Sequence, residues 1–255
     1  MLAERILLLV PHPDDEVVGC AAAIGRAVAE GGRVFVFYLT NGVPARTVLW
    51  PWQRASHPGR VARRWREAVA AAARLGLAEA ARQDIPTRTL KAHLRQASDT
   101  LRRLVEELRP GAVWAPAYEG GHQDHDVANF LASLVRRAVP VWEFSEYNYA
   151  GGRVRSHEFP AAAGTERVLA LDPAEAARKR ALLGLYASER ANLRHVGCRR
   201  EVFRPLVRYD YTRPPHAGPL FYQRFQWVPR HPRVDHCRPV EVCRAIAEFA
   251  IPDAA

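Results

Sequence analysis

Lysine is nearly absent: Lys91 and Lys179 are the only lysines among 37 basic residues, so a formal charge of +10 rests on arginine. Those arginines are scattered and accompany no recognisable nucleic-acid-reading motif. The field favours anionic partners in general, and no nucleic acid is expected. The four cysteines, Cys20, Cys198, Cys237 and Cys243, contain no C-x-x-C pair. That excludes a zinc ribbon and a dithiol redox motif and leaves reduced structural thiols. No apolar run approaches the ~18 residues of a membrane span, and the first residues lack the basic, apolar and small-residue segments of a secretory signal. A cytoplasmic protein without a transmembrane segment is expected. No G-x-G-x-x-G follows the first apolar run, which argues against a dinucleotide cofactor, and no G-x-S-x-G elbow supports a serine hydrolase. Internal repeats and low-complexity tracts are also missing.

What is present is 255 residues, 48% of them apolar, enough for a sizeable core. One domain over 1–255 is expected, with a less regular part from about residue 190. Arg5 to Val10 is a continuous apolar run suited to a strand buried on both faces. Pro11 and Pro13 end it, and Asp14 to Glu30 reads as a helix with acid in its first turn and Gly31-Gly32 after it. Arg33 to Thr40 is a second strand closed by Asn41-Gly42. Val43 to Arg60, with Trp50 and Trp52, reads as a long loop over a pocket. Helices are expected at 61–75 and 87–108, a third strand at 112–115, a helix at 126–137 and a fourth strand at 141–144. Further helices are expected at 173–186 and 239–249. This βαβ alternation predicts a three-layer, Rossmann-like α/β fold: a mostly parallel sheet with helices on both faces.

In such sheets ligands bind beyond the carboxyl ends of the strands, and two polar clusters fall there. One is His12-Pro13-Asp14-Asp15-Glu16 after the first strand; the other runs from Tyr118 to His125 after the strand at Ala112. His12 and Asp15, three apart across a bend into a helix, can both turn inward, and His125 can add a second imidazole. Two nitrogens and one carboxylate suit catalytic zinc, although ferrous iron takes the same ligand set. A metal so held activates water and polarises a carbonyl, which suits amide hydrolysis. Asp14 is then left off the metal as a general base, and His122 either protonates the leaving amine or supports charge on the tetrahedral oxygen. Asp124, between the two histidines, is a candidate to fix a histidine tautomer. Glu16 reads as structural or capping. The bland alternative for the whole cluster is a pair of ordinary helix caps.

PHPDDEVVG together with GGHQDHDVA resembles the PIG-L/LmbE family of zinc-dependent de-N-acetylases, which act on N-acetylglucosamine-type amino sugars. The resemblance implies the same roles: His12, Asp15 and His125 on zinc, Asp14 as base, His122 as acid or electrostatic histidine. It also points, through Arg64-Trp65-Arg66-Glu67 ahead of a helix ending Leu75-Gly76, to Arg64 as a substrate contact, and it places Asp84 where relatives carry a sugar-binding aspartate. A small-molecule or glycoconjugate substrate follows, and a homo-oligomer is a reasonable expectation. The chain departs from the family in Cys20-Ala21 after HPDDE, in Gly42-Val43 after the second strand and in Gln123 for a proline. None of these removes a proposed ligand or base.

Two other readings stay open at this level. Paired aspartates at a strand end also hold Mg²⁺ in phosphoesterases, and a non-catalytic glycan-binding protein retains the same pocket. His231, Asp235, His236 and Cys237 form a second cluster, read as a structural loop rather than a metal site. Trp50, Trp52 and Trp65 suit either sugar stacking or packing.

Overall fold

The computed structural model describes residues 1–250. Its first element, β1 (Arg5–Val10), is buried from Ile6 onward, as a central strand covered on both faces must be. Alternate side chains leave it in opposite directions: Leu7 and Leu9 enter one core, Ile6, Leu8 and Val10 the other. After the proline pair comes α1 (Asp15–Ala29), then β2 (Arg33–Tyr38), paired in parallel with β1.

The stretch read as a long loop is more ordered than its prolines suggest. Short 3-10 turns occupy Arg46–Val48 and Pro51–Ser56, and α2 (His57–Leu75) begins with Pro58 in its first turn, where the missing N–H costs nothing. Gly76 ends it at φ 75°, a left-handed C-cap. An edge strand not expected from the sequence follows, β3 (Ala78–Arg82), whose Ala-rich AEAAR carries little strand propensity and is recruited by pairing with β2.

The helix expected at 87–108 starts late, as α3 (Leu94–Leu108). The reason lies across the sheet: the N–H groups of Arg88 and Leu90 donate to the Asp124 carboxylate, so these residues leave the helical path, and Arg88 takes φ 70°. Then come β4 (Ala112–Pro116) and α4 (Gln123–Val135), the latter three residues earlier than expected because His122 caps it.

The remaining elements are β5 (Val141–Ser145), the two-residue strands β6 (Tyr147–Asn148) and β7 (Arg155–Ser156), β8 (Arg167–Ala170), α5 (Pro173–Leu183), β9 (Arg200–Pro205) and α6 (Pro239–Ala250). The main sheet has seven strands in the order β3-β2-β1-β4-β5-β9-β8. Its first five are parallel, and β9 and β8 add antiparallel pairs that the sequence patterns did not disclose. The residues packed on one face come from α3, α4 and α6, and those on the other from α1, α2 and α5. The expected three-layer, mostly parallel α/β architecture is therefore present. No described helix is long and apolar enough to cross a membrane.

A buried ionic cluster ties the antiparallel edge to α1. Lys179 Nζ lies 2.9 Å from Glu201 Oε1, and the Glu201 carboxylate also accepts from the N–H groups of Ala22 and Ala23. His157 sits beside them at φ 53°, with Nδ1 3.1 Å from Ser145 O and Nε2 3.4 Å from Lys179 Nζ. Burial first, and then the Lys179 charge, hold its pKa down to about 3, so the ring is neutral although both nitrogens face carbonyl oxygens, Nδ1 that of Ser145 and Nε2 that of Gly197 at 2.9 Å. A histidine depressed below its unfolded value of ~6.5 contributes stability that is fully present above that pH and lost as pH falls towards the folded value. Urea unfolding between pH 7 and pH 4 should show this loss, up to ~1.4 kcal/mol per pH unit from this one group. His157→Asn, chosen because Asn tolerates positive φ, should show a shallower acid limb; a limb as steep as the parent's would remove His157 from the account.

Candidate active site

The chain runs from β1 outward to β2 and β3, then crosses back to β4 on the other side of β1. At such a switch point two loops leave adjacent strand ends in opposite directions and open a crevice. The loop after β1 carries residues 11–14, and the loop after β4 carries residues 117–122, so topology alone brings the two polar clusters together.

Three donor atoms meet there. His12 Nδ1, Asp15 Oδ2 and His125 Nε2 lie 3.2 Å from one another along every edge of a triangle. A tetrahedral ion with bonds of ~2.0–2.1 Å spaces neighbouring donors about 3.3–3.4 Å apart. The three atoms thus fit one face of that polyhedron, and they form one of two His/Asp groups among the described residues that are compact enough to hold a metal. The other is His12, His122 and Asp124. The arrangement attracts positive charge. Burial opposes a proton on His12, but Asp15 and the Asp124 hydrogen bond outweigh it and push its pKa up to about 10. Burial alone favours a neutral Asp15, yet His125 and His12 hold its carboxyl well below the usual range. A divalent cation held by the three donors would supply positive charge in place of that proton.

Asp124 locks the far side of His12. Its Oδ2 is 3.0 Å from His12 Nε2 and also accepts from Thr87 Oγ1 at 2.9 Å and Arg88 N at 2.6 Å, while Leu90 N donates to Oδ1 at 3.2 Å. Because Asp124 can only accept, Nε2 carries the hydrogen and Nδ1 is turned to the triangle. Burial works against this charge, but the His12 hydrogen bond and the neighbouring histidines win and keep Asp124 ionised.

Asp14 sits at the N-cap position of α1 without capping it. Its carbonyl accepts from Val17 and Val18, its side chain makes no cap bond, and its backbone holds φ 139°, a region that costs a non-glycine residue ~1–3 kcal/mol. The Glu16 carboxylate accepts from the Asp14 N–H and from the Tyr186 hydroxyl. The Asp14 carboxylate faces the crevice, 6% exposed. Burial pushes its pKa up to about 8, with Arg64 opposing and Asp15 adding to the rise.

Arg64 reaches this site through Asp14. Its Nη2 donates to Asp14 Oδ2 at 2.9 Å, and Nη1 meets Ser188 Oγ at 3.2 Å and Glu189 Oε1 at 3.1 Å. The guanidinium is 3% exposed, so its donors face protein. Gly42 makes room for it: at φ 69°, an added Cβ would stand 2.8 Å from Arg64 Nε. Glu67, the last residue of the R-x-x-E pattern, holds the same segment by accepting from the Ser188 N–H and hydroxyl.

His122 is the N-cap of α4, with Nδ1 accepting from Asp124 N–H at 3.1 Å and its ring edge-on to His12 at 4.4 Å. A neutral ring accepting at Nδ1 carries its hydrogen on Nε2, and burial, followed by the His12 charge, holds its pKa well down. It is built as an N–H donor.

Other candidates are not part of this cluster. Asp84 is exposed and accepts from Asn41 Nδ2 at 2.7 Å, at the rim formed by the end of β2. Trp65 of α2 is partly buried, packed against Tyr38 of β2 and the Arg82 guanidinium. Trp50 and Trp52 stack on each other, with Trp52 74% exposed. In the His231–Cys237 segment, Asp235 accepts two bonds from Gln123 Nε2, at 2.7 and 2.9 Å, and one from Cys237 N. The residue that replaces the family's proline therefore clasps the C-terminal segment to the first turn of α4.

Sequence reasoning missed Thr87, Arg88, Ser188, Glu189 and Glu146. Four of them act through main-chain groups or from irregular segments, where spacing carries no signal. Glu146 lies just past the end of β5, and only the sheet brings it against His125.

Comparison with known proteins agrees with this picture. No curated protein matches the chain. Among solved structures, a zinc-inhibited form of teicoplanin deacetylase Orf2 aligns with a TM-score of 0.62 at 22% identity, covering 81% of this chain and 99% of that one. The N,N'-diacetylchitobiose deacetylase of Pyrococcus horikoshii aligns at 0.55 and 17% identity, over 80% and 84% of the two chains. GalB, the 4-carboxy-2-hydroxymuconate hydratase of Pseudomonas putida KT2440, aligns at 0.57 and 18%, over 82% and 98%. These likenesses establish the fold, and the hydratase among them shows that the fold leaves the reaction open. The PIG-L family model, described as GlcNAc-PI de-N-acetylase, matches residues 7–136, a stretch that spans both polar loops and every residue of the donor triangle. With half of its length matched and the motif residues gathered at one crevice, the chain belongs to the PIG-L family.

Proposed function

We propose that the chain is a single-domain, metal-dependent hydrolase that removes the acetyl group from an N-acetylated amino sugar. The observation that carries this reading is the division of labour at the end of β1: Asp15 turns into the donor triangle, while Asp14, one residue earlier, is held off it by Arg64. His12, Asp15 and His125 would hold the cation, zinc by donor type with ferrous iron as the alternative. Such an ion supplies polarisation of the carbonyl and of the attacking water.

The chain's own residues do the rest. Asp14 takes a proton from the attacking water, and burial, by raising its basicity, suits it to that work near neutral pH. His122 donates its Nε2–H towards the carbonyl oxygen as negative charge develops. Asp124 keeps His12 in the tautomer that offers Nδ1. Arg64 orients Asp14, and Glu189 and Ser188 orient Arg64. Arg64→Met should therefore lower kcat on the order of 10-fold or more, with a smaller change in KM; a change confined to KM would make Arg64 a ground-state substrate contact instead.

The direct test is to load the protein with zinc or, anaerobically, with ferrous iron, and to follow acetate release from a panel of N-acetylglucosaminides. Acetate from at least one member is expected. Phosphate release from phosphoesters without acetate would replace this reading with a phosphoesterase, and tight glycan binding without turnover would make it a binding protein.

A further inference from the structure

His125 Nδ1 and both carboxylate oxygens of Glu146 are buried atoms with no hydrogen-bond partner. They face each other. Glu146 Oε2 lies 3.5 Å from His125 Nδ1, and both side chains are 0% exposed. Unpaired buried polar atoms are rare, so two of them on facing groups require a cause. The donor triangle provides one. His125 presents Nε2 to His12 and Asp15. When Nε2 gives its lone pair to a cation, the hydrogen of a neutral ring must sit on Nδ1, and coordination makes that N–H a stronger donor. A separation of 3.5 Å is long for a hydrogen bond, and a stronger donor draws the pair together.

Glu146 is also held in place from both sides. Its N–H donates to Glu119 Oε1 at 2.6 Å, and Ser145, Tyr147 and Asn148 bond the same carboxylate. Its carbonyl accepts from His157 N at 2.9 Å. Gly19 of α1 leaves the side chain its room: an added Cβ there would stand 3.3 Å from Glu146 Oε1 and 2.3 Å from the Phe144 ring. The residue lies outside the family-matched stretch of 7–136.

We propose that Glu146 is a positioning residue, accepting a hydrogen bond from His125 Nδ1–H and so fixing the tautomer that offers Nε2 to the cation. The proposal rests on the metal-triangle reading above, and its test separates the two. Metal-free full-length parent, Glu146→Met and Glu146→Gln are titrated with zinc against a chromophoric chelator, and the thermal unfolding of each metal-free protein is recorded. The parent should bind one zinc per chain. Glu146→Met, without an acceptor, should bind about 10–100-fold more weakly, the effect known for losing the partner of a ligating histidine. Glu146→Gln keeps an acceptor oxygen without the charge and should fall between. Metal-free Glu146→Gln should unfold near the parent's temperature, because its amide replaces the carboxyl, including its contact with the Asp15 carboxylate, without a change of shape. A merely structural role moves both readouts down together. Parent-like zinc affinity in folded Glu146→Met overturns the proposal; should that variant not fold, parent-like affinity in Glu146→Gln does so. If the parent itself binds no zinc, the metal-triangle reading fails and the proposal falls with it.

Discussion

Asp14→Asn is expected to lower kcat for acetate release by about 10²–10⁴-fold, the usual worth of a positioned general base. Asparagine matches aspartate in shape and can still accept from Arg64, so the N-cap geometry and the salt-bridged neighbourhood of Ser188 and Glu189 have no reason to change. It cannot take a proton. Metal content should stay at the parent's level, because Asp14 lies outside the donor triangle and its Oδ2 is committed to Arg64 at 2.9 Å. Stability should hold or rise, since it is chiefly burial that pushes the Asp14 carboxyl up to about 8, and the uncharged amide avoids that cost. Steady-state kinetics, metal analysis and thermal unfolding of the one variant check all three expectations. A variant as active as the parent would sink the assignment of Asp14 as base and with it the mechanism.

The second large effect concerns the triangle. Removing the metal with a chelator should abolish acetate release, and adding zinc back should restore it. His125→Ala should fail to recover under the same treatment. The variant loses one of three donors, and the loss in affinity should exceed the ~10–100-fold that follows from losing only a supporting partner of a ligand. Asp15 makes the comparison sharper. Its carboxyl is held low by His125 and His12, so Asp15→Asn removes both a donor and the charge that draws positive charge to the site. Both variants should therefore be inactive with low metal occupancy, whereas Asp14→Asn should be inactive with full occupancy. That contrast distinguishes a base from a ligand one residue apart. Full turnover by rigorously metal-free parent would refute the metal-dependent reading.

The contrast between Asp14 and Asp15 also shows where sequence reasoning stops. In the string HPDDE the two aspartates are interchangeable by type, and either makes a reasonable helix cap. Spacing does favour Asp15 as the partner of His12, because residues three apart across a helix start face one another. What takes the Asp14 carboxylate away from a capping role is Arg64, fifty residues away, while Glu16 accepts the Asp14 N–H. Neither interaction follows from periodicity. The same holds at Asp124. Its place between two histidines suggested a tautomer lock, but the irregular backbone at Thr87–Leu90 that completes its shell interrupts a stretch whose composition reads as helix. The edge strand β3 and the antiparallel β8 and β9 escaped notice because pairing with a formed neighbour, rather than intrinsic preference, makes them strands.

The sequence by itself determined the layered α/β architecture, since alternating apolar runs and helical stretches broken by proline and glycine admit few other arrangements. It also determined which residue types stand at two strand ends, and so the chemical character of the candidate site. Only the tertiary structure decided how those residues divide their roles. The switch between β1 and β4 closes a gap of more than a hundred residues to a 3.2 Å triangle. Burial and hydrogen bonds from distant segments then set which nitrogen, which oxygen and which proton each side chain offers. Strand and helix preferences are local and survive in any window of sequence, whereas proton placement depends on the dielectric and the partners around a group, and those exist only once the chain has folded.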